Sequence, residues 1–357
     1  MPTRTMASGL RAAGRATAFV VDLMPMLPSA PRLSLAPIRE RVVLESGAGE
    51  GLGDVFRPAR GGGRPGVALS LGVVPAGLEH PQIPRLGRAL ARAGFVALVY
   101  WSPAMQDRRL DPDDVDDLAA AFEHLSGLPG VDPARCGLFG TCVGGAFALL
   151  AAAHPRVRDR VAFVGAFAPY ASVETFVQSI ASRTRRSAAG RSPWMVDPLT
   201  WTVYVRTITD VLPPEERDAL RAGFETPDAG PSTVAGLGAD ALAVRRLLEP
   251  VPFEQTGEAL AGLPDEIRRR FSLMSPLDHL DGIRAPLVVV GHDRDDLVIP
   301  VEESRRLRGR LLGRPGFRYT EFGLFEHADP SKRRLALHRR GLELGKFVRY
   351  AYPLFRV

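Results

Sequence analysis

The 357-residue chain holds two cysteines, and one of them sits where a side chain could do chemistry. Cys142 is the middle of Gly140-Thr141-Cys142-Val143-Gly144, between the apolar stretches GLFG and GAFALLAAA. Residues 135–153 read as a buried strand, a sharp turn and a buried helix. A strand-to-helix elbow of this kind forces its central residue into a strained backbone and lifts that side chain above the sheet edge. Glycines must flank it, because a Cβ there would strike the neighbouring strand or helix. The helix starts directly after Cys142, so its free N–H groups and positive dipole end favour negative charge on sulfur. The chemistry implied is that of a thiolate nucleophile on an α/β sheet. The competing explanation is structural: Gly140, Gly144 and Gly145 let a helix pack closely on a strand.

A nucleophile needs a base and a group that orients the base. In open parallel sheets such residues lie in loops beyond the carboxyl ends of strands. Two loops offer them. After the run PLVVVG comes His292-Asp293-Arg294-Asp295-Asp296-Leu297-Val298-Ile299-Pro300, and after RYTEF comes Gly323-Leu324-Phe325-Glu326-His327-Ala328-Asp329-Pro330. The three aspartates of the first loop also suit a solvated turn. A calcium loop is excluded, since no glycine-bearing twelve-residue loop is present. His292 reads as loop packing, His80 as a surface histidine or a pocket residue, and His124, His154, His279 and His338 as structural.

The elements that must position these residues follow from apolar periodicity. Residues 39–45 and 52–57 read as an opening strand pair. The run 67–74 (VALSLGVV) reads as a strand buried on both faces, and 95–100 as the next strand. Helices are expected at 83–93 and 112–125, the latter with Asp111 as N-cap and Pro112 at its first position. The strand 161–167 follows the elbow. From 171 to 276 the strand–helix alternation stops. That segment holds a basic loop (Arg183, Arg185, Arg186, Arg191) and helical stretches at 213–223, 238–249 and 257–272. Alternation resumes with strands 286–291 and 317–322 and helices 301–312 and 334–350. The expected class is α/β, a mostly parallel sheet flanked by helices. Residues 1–37 form a lead segment, 38–170 and 277–357 the core, and 171–276 an inserted helical cap. Trp194, Trp201 and Tyr204 of the cap fit either a pocket wall or the cap's own core, and the cap arginines are candidates to attract an anionic substrate.

Composition narrows the classes. Hydrophobic residues make up 45% and charged residues 24%, ordinary for a globular protein. The net charge of +6 comes almost wholly from arginine, with only two lysines, Lys332 and Lys346. The arginines are scattered beside acids, so no nucleic-acid partner is expected. Cys136 and Cys142 lie about 20 Å apart along one strand, beyond disulfide reach, and no metal cluster accompanies them. Cys136 reads as core, and both thiols suit a reducing, cytoplasmic setting. Residues 1–21 carry Arg4, Arg11 and Arg15 and no acid. They read as a loosely attached amphipathic lead, with membrane contact as a weaker alternative. No apolar run reaches the ~18 residues that span a bilayer. The sequence leaves the oligomeric state open.

GTCVGG resembles the elbow of the dienelactone hydrolase branch of the α/β-hydrolases, which use Cys–Asp–His, and the chain order nucleophile, acid, histidine is that of the superfamily. DDLVIP resembles the family's acid loop, where the aspartate stands four residues before a proline; this implies Asp296, with Asp295 as the rival. FEHADP resembles the histidine loop and implies His327. SPLDHLDGIRAPLVVVG is similar to the run leading from a cap back into the core. The resemblance covers about residues 38–350 apart from the cap. It implies that His327 takes the Cys142 proton and later protonates the leaving group, and that Asp296 orients the imidazole. It implies an oxyanion hole from the N–H of Val143 and a second N–H after strand 67–72, at Val73 or next at Val74. Family members often carry His-Gly at that loop; here it is Leu71-Gly72. The implied activity is hydrolysis of a carboxylic ester, lactone or thioester through a Cys142 acyl-enzyme, on a small-molecule acyl substrate and without cofactor or metal. The alternatives are an acyltransferase or a non-catalytic binding protein on the same fold.

Overall fold

The computed structural model describes residues 2–24, 35–46, 49–75, 77–187, 190–225, 236–323 and 337–357. Helix α1 (Pro2–Leu23) precedes an antiparallel strand pair, β1 (Ile38–Ser46) and β2 (Gly49–Arg57). Strand β3 (Arg64–Ser70) leads through a loop to α2 (Gln82–Arg92), then β4 (Val96–Trp101). The short α3 (Pro103–Gln106) and α4 (Asp114–Gly127) lead into β5 (Val131–Thr141), α5 (Val143–Ala153) and β6 (Phe163–Phe167).

A helical insertion comes next. It contains α6 (Val173–Ser182), a hairpin of β7 (Thr184–Ser187) and β8 (Gly190–Pro193), then α7 (Pro198–Thr209), α8 (Pro214–Phe224), α9 (Ala239–Leu248), α10 (Phe253–Ala261) and α11 (Asp265–Leu273). The short α12 (Pro276–His279) returns the chain to β9 (Leu287–Asp293), α13 (Val301–Leu311), β10 (Phe317–Phe322) and α14 (Leu337–Ala351). Eight strands form one sheet in the order β1-β2-β4-β3-β5-β6-β9-β10. The pairs from β4 to β10 are all parallel, and β2 runs antiparallel to both of its neighbours.

Residues along each central strand alternate between two cores, as period-two geometry demands. Ala68, Leu138, Val164 and Val290 face α4 and α5. Val67, Leu69, Phe163 and Val289 face the opposite layer with α1, α2 and α14. Helix α1 of the lead segment is therefore not loose. Ala12, Ala16, Phe19, Val20 and Met24 are buried, at helical spacing along α1, and Asp22 pairs with Arg92 of α2 at 3.2 Å. The expectation failed because the elements that receive α1 lie far along the chain, in α2, α14 and the final turn Tyr352–Arg356.

Three other differences have local causes. Helix α4 begins at Asp114 rather than at Pro112. Asp111 Oδ1 accepts the Asp113 N–H at 3.1 Å and so stabilises a turn instead of capping a helix. The stretch 257–272 is two helices, α10 and α11, because Pro264 cannot continue a helix through its own position. The basic loop is a hairpin, its strands paired Arg185↔Ser192 and Arg186↔Arg191. Among the described residues, no helix is long and apolar enough to cross a membrane.

Candidate active site

The elbow is built around one strained residue. Cys142 has φ 57° and ψ −138°, a conformation that costs a non-glycine residue roughly 1–3 kcal/mol and persists only where its surroundings fix it. Here they do. The Cys142 N–H donates to the Phe167 carbonyl at 2.8 Å, and its own carbonyl accepts from Gly145 N–H at 2.9 Å. A Cβ on Gly140 would lie 2.1 Å from the Gly144 carbonyl oxygen, and one on Gly144 would lie 2.2 Å from the Ser70 carbonyl oxygen. Both glycines are thus required by backbone approach, as the sequence pattern anticipates. Cys142 is half-buried at the N-terminus of α5, while Cys136 is fully buried in the core. Burial pushes the Cys136 thiol up to about 11, which leaves it an inert packing group.

The loop after β3 is stapled to this elbow. Thr141 Oγ1 donates to the Leu71 carbonyl at 3.1 Å. Gly72 turns the chain with φ +73°, and a Cβ there would sit 3.1 Å from the Thr141 carbonyl oxygen. This brings Val73 and Val143 to the cavity that Cys142 lines. Neither amide donates to a backbone carbonyl among the described residues.

In the loop after β9, Asp296 is fully buried and Asp295 is exposed. Asp296 Oδ1 accepts the N–H groups of Val298 at 2.7 Å and Ile299 at 3.0 Å, so the carboxylate is locked in one orientation. Its Oδ2 lies 3.5 Å from Nε2 of His292. His292 is also fully buried, with Nε2 at 2.9 Å from the Ile299 carbonyl and Nδ1 at 2.5 Å from Ser304 Oγ. Its ring ties the acid loop to α13, in keeping with its reading as loop packing. Val298 and Ile299 line the same cavity as Cys142. His327 lies outside the described residues, as do all residues from 324 to 336.

That cavity has a volume of about 730 Å³. Around the thiol its walls are Val73, Val143, Tyr170 and Ile299. The insertion contributes Val173, Phe176, Leu199, Val203 and Tyr204. Tyr204 is therefore a wall residue, with its hydroxyl donated to the Leu247 carbonyl at 2.8 Å. Trp201 is buried in the insertion's own packing, while the buried Trp194 donates its indole N–H to the Leu297 carbonyl at 3.2 Å and so ties the insertion to the loop after β9. The four cap arginines do not line the cavity; Arg183 lies over the Trp201 ring and Arg191 pairs with Glu254. His80 does line it, with Nδ1 accepting the Gln82 N–H at 3.3 Å.

The sequence reading missed Tyr170 and Glu303. Tyr170 is fully buried, stacks on Phe176 with ring centroids 5.8 Å apart, and donates its hydroxyl to the Met274 carbonyl at 2.9 Å. Its position just beyond the end of β6 was the available signal. Glu303 is buried and accepts from the N–H groups of Ala171 at 3.0 Å and Ser172 at 3.3 Å. It anchors the entry to the insertion on α13. Burial raises its pKa although those donors oppose the shift. No group of three or more metal-ligating side chains occurs among the described residues.

A doubly covered parallel sheet, a strained nucleophile-type elbow after β5 and a loop carrying a buried aspartate after β9 define the α/β-hydrolase fold. Within that fold, residues 75–184 match the dienelactone hydrolase family. A 91-residue stretch is 35% identical to a probable 2-oxo-3-(5-oxofuran-2-ylidene)propanoate lactonase of a Bradyrhizobium species, over 21% of this chain and 37% of that protein. Among solved structures, an acylaminoacyl peptidase of Pyrococcus horikoshii superposes with a TM-score of 0.53 at 14% identity, over 87% of this chain and 41% of that one. A puromycin-hydrolyzing peptidase of Mycobacterium tuberculosis gives 0.50 at 19% identity, over 91% and 39%. The chain thus matches well under half the length of each of these relatives.

Proposed function

We propose that the protein hydrolyses a carboxylic ester, lactone or thioester, with Cys142 as nucleophile. The observation that carries this reading is the Cys142 backbone at φ 57°, held at the N-terminus of α5 with its side chain on a large cavity. Nothing in plain strand–helix packing calls for that strain in a cysteine. The dienelactone hydrolase match spans this elbow.

In the proposed cycle, His327 takes the Cys142 proton and the thiolate attacks the acyl carbon. The tetrahedral oxyanion is held by the N–H groups of Val143 and Val73. As the C–O or C–S bond breaks, His327 returns the proton to the leaving group and an S-acyl enzyme remains. Water, activated by the same imidazole, then releases the acid and restores the thiol. Asp296 orients the imidazole and stabilises its cation. Its burial and two backbone donors favour it over the exposed Asp295 for this role.

The test is turnover of p-nitrophenyl butyrate by the wild type beside Cys142→Ala. The variant is expected to lose at least about a thousandfold in kcat/KM with an unchanged circular dichroism spectrum. Full activity in the variant would overturn the nucleophile assignment. Labelling by iodoacetamide separates catalysis from ligand binding alone: fast alkylation of Cys142 that His327→Ala slows belongs to a catalytic thiol. Product analysis with added alcohols or amines distinguishes hydrolysis from acyl transfer.

A further inference from the structure

The cavity extends much further than an ester bond requires, and its walls specify what else it holds. One part lies under the insertion, and the other follows the sheet face that carries α1, α2 and α14. Thr141 and Phe167 line it at the carboxyl ends of β5 and β6, and Val67 and Phe163 line it towards the starts of β3 and β6. From Phe167 to Phe163 is four strand residues, a depth of about 13 Å at ~3.3 Å each. The deep end is an aromatic floor. The Phe95 ring meets Phe163 at 6.2 Å and Phe355 at 5.4 Å between centroids, and Phe355 meets Phe19 of α1 at 5.4 Å.

The lining also lacks charge. Among the described residues Arg108 and Asp197 are the only wall residues with formal charge. Arg108 is exposed, and Asp197 is occupied in capping α7, accepting the N–H groups of Leu199 at 2.9 Å and Thr200 at 3.2 Å. Below the thiol, the sides are Leu69, Ile83, Leu86, Leu90 and Ala351. Away from Arg108, His80 and the amides beside Cys142, such a space gives an anion little to bond to. An alkyl chain gains from every methylene it takes out of water.

We infer, resting on the hydrolase reading above, that the acyl group of the substrate is a long alkyl chain, and that the space between the sheet and α1, α2 and α14 is its channel. The chain enters past Tyr170 with its carbonyl at Cys142 and ends on the Phe95–Phe163–Phe355 floor. A depth of about 13 Å takes on the order of ten carbons of a zigzag chain with C–C bonds of ~1.5 Å.

Three measurements test this. The first is kcat/KM of the wild type for p-nitrophenyl acetate, butyrate, octanoate and decanoate below their micelle concentrations. Each buried methylene is worth up to about fourfold, so octanoate is expected to exceed acetate by at least tenfold. The second is Ala351→Trp, which places an indole in the lower channel. It is expected to cut the decanoate-to-acetate ratio by about tenfold or more. The third is binding of cis-parinaric acid, a fluorescent fatty acid, to Cys142→Ala, with competition by decanoic acid and none by acetic acid.

Rates flat or falling with chain length, together with no binding of cis-parinaric acid, would overturn the channel while leaving the hydrolase intact. Saturable binding that decanoic acid displaces, with no ester of any length cleaved, would support the channel and remove the hydrolase reading. Because the wild-type series and the binding assay stand apart from Ala351→Trp, a misfolded variant does not decide the matter.

Discussion

The two faces of the sheet are packed to different standards. On one, α5 lies so close to β5 and β3 that Gly140 and Gly144 leave no room for a methyl group, and Ala146, Ala148 and Leu149 are buried behind them. On the other, side chains from α1, α2 and α14 stand off the strands and wall part of the cavity of about 730 Å³ that they share with the insertion. Protein interiors are normally filled to crystal-like density, so an open apolar space of that size beside a tight one is a division of labour. The close face fixes the strained residue that must not move. The open face, on the proposal above, receives an alkyl chain.

The sharpest way to break this comparison is to add atoms to each face. Gly144→Val puts a branched side chain onto the Ser70 carbonyl, and the expected result is a loss of about 4 kcal/mol or more, seen as insoluble or unfolded protein. A smaller effect on the close face comes from Asp114 of α4. It is buried, its Oδ2 has no hydrogen-bond partner among the described residues, and burial pushes its carboxyl up to about 7. An acid with a raised native pKa binds more protons folded than unfolded between pH ~4 and 7. Stability is therefore lost as pH rises through that window and stays level above it. Asp114→Asn removes the dependence, and urea melts should show the variant's advantage over the wild type larger at pH 8 than at pH 5 by on the order of 2 kcal/mol. The smallest effect belongs to the open face: Leu90→Phe, pointing into the void, is expected to raise stability by about 0.5–1 kcal/mol. Should Leu90→Phe prove as damaging as Gly144→Val in the same melts, the open face is not open.

What could be read in advance follows the same division. The close face was legible because tight approach demands particular residues: the glycines at 140, 144 and 145 and the alanine-rich helix behind them announce it in one short stretch. Strands β3, β6 and β9 were legible as unbroken apolar runs, since a strand covered on both faces has no polar side. Asp296 could be distinguished from Asp295 only by its four-residue distance to Pro300, and the structure adds burial to that cue. The open face was not legible. A void leaves no residue in the sequence, and Phe19, Ile83 and Phe355, far apart along the chain, become its walls only after folding. Helices α6 and α7 were overlooked because VETFVQSIAS and PLTWTVYVRTIT mix β-branched and polar residues, and burial rather than intrinsic propensity holds them. The hairpin of β7 and β8 was overlooked because its residues are largely exposed and show no alternation.

The position of α1 has a consequence for biogenesis. Phe19, Leu23 and Met24 come from α1 and the residue after it, and Phe347, Ala351 and Leu354 from α14 and the turn that follows it. On a ribosome the sheet as far as β6 can assemble while the far wall is still unmade. The compartment is thus sealed only once α14 has been made, and until then the greasy inner surface of α1 has no native neighbour there and is exposed to chaperones.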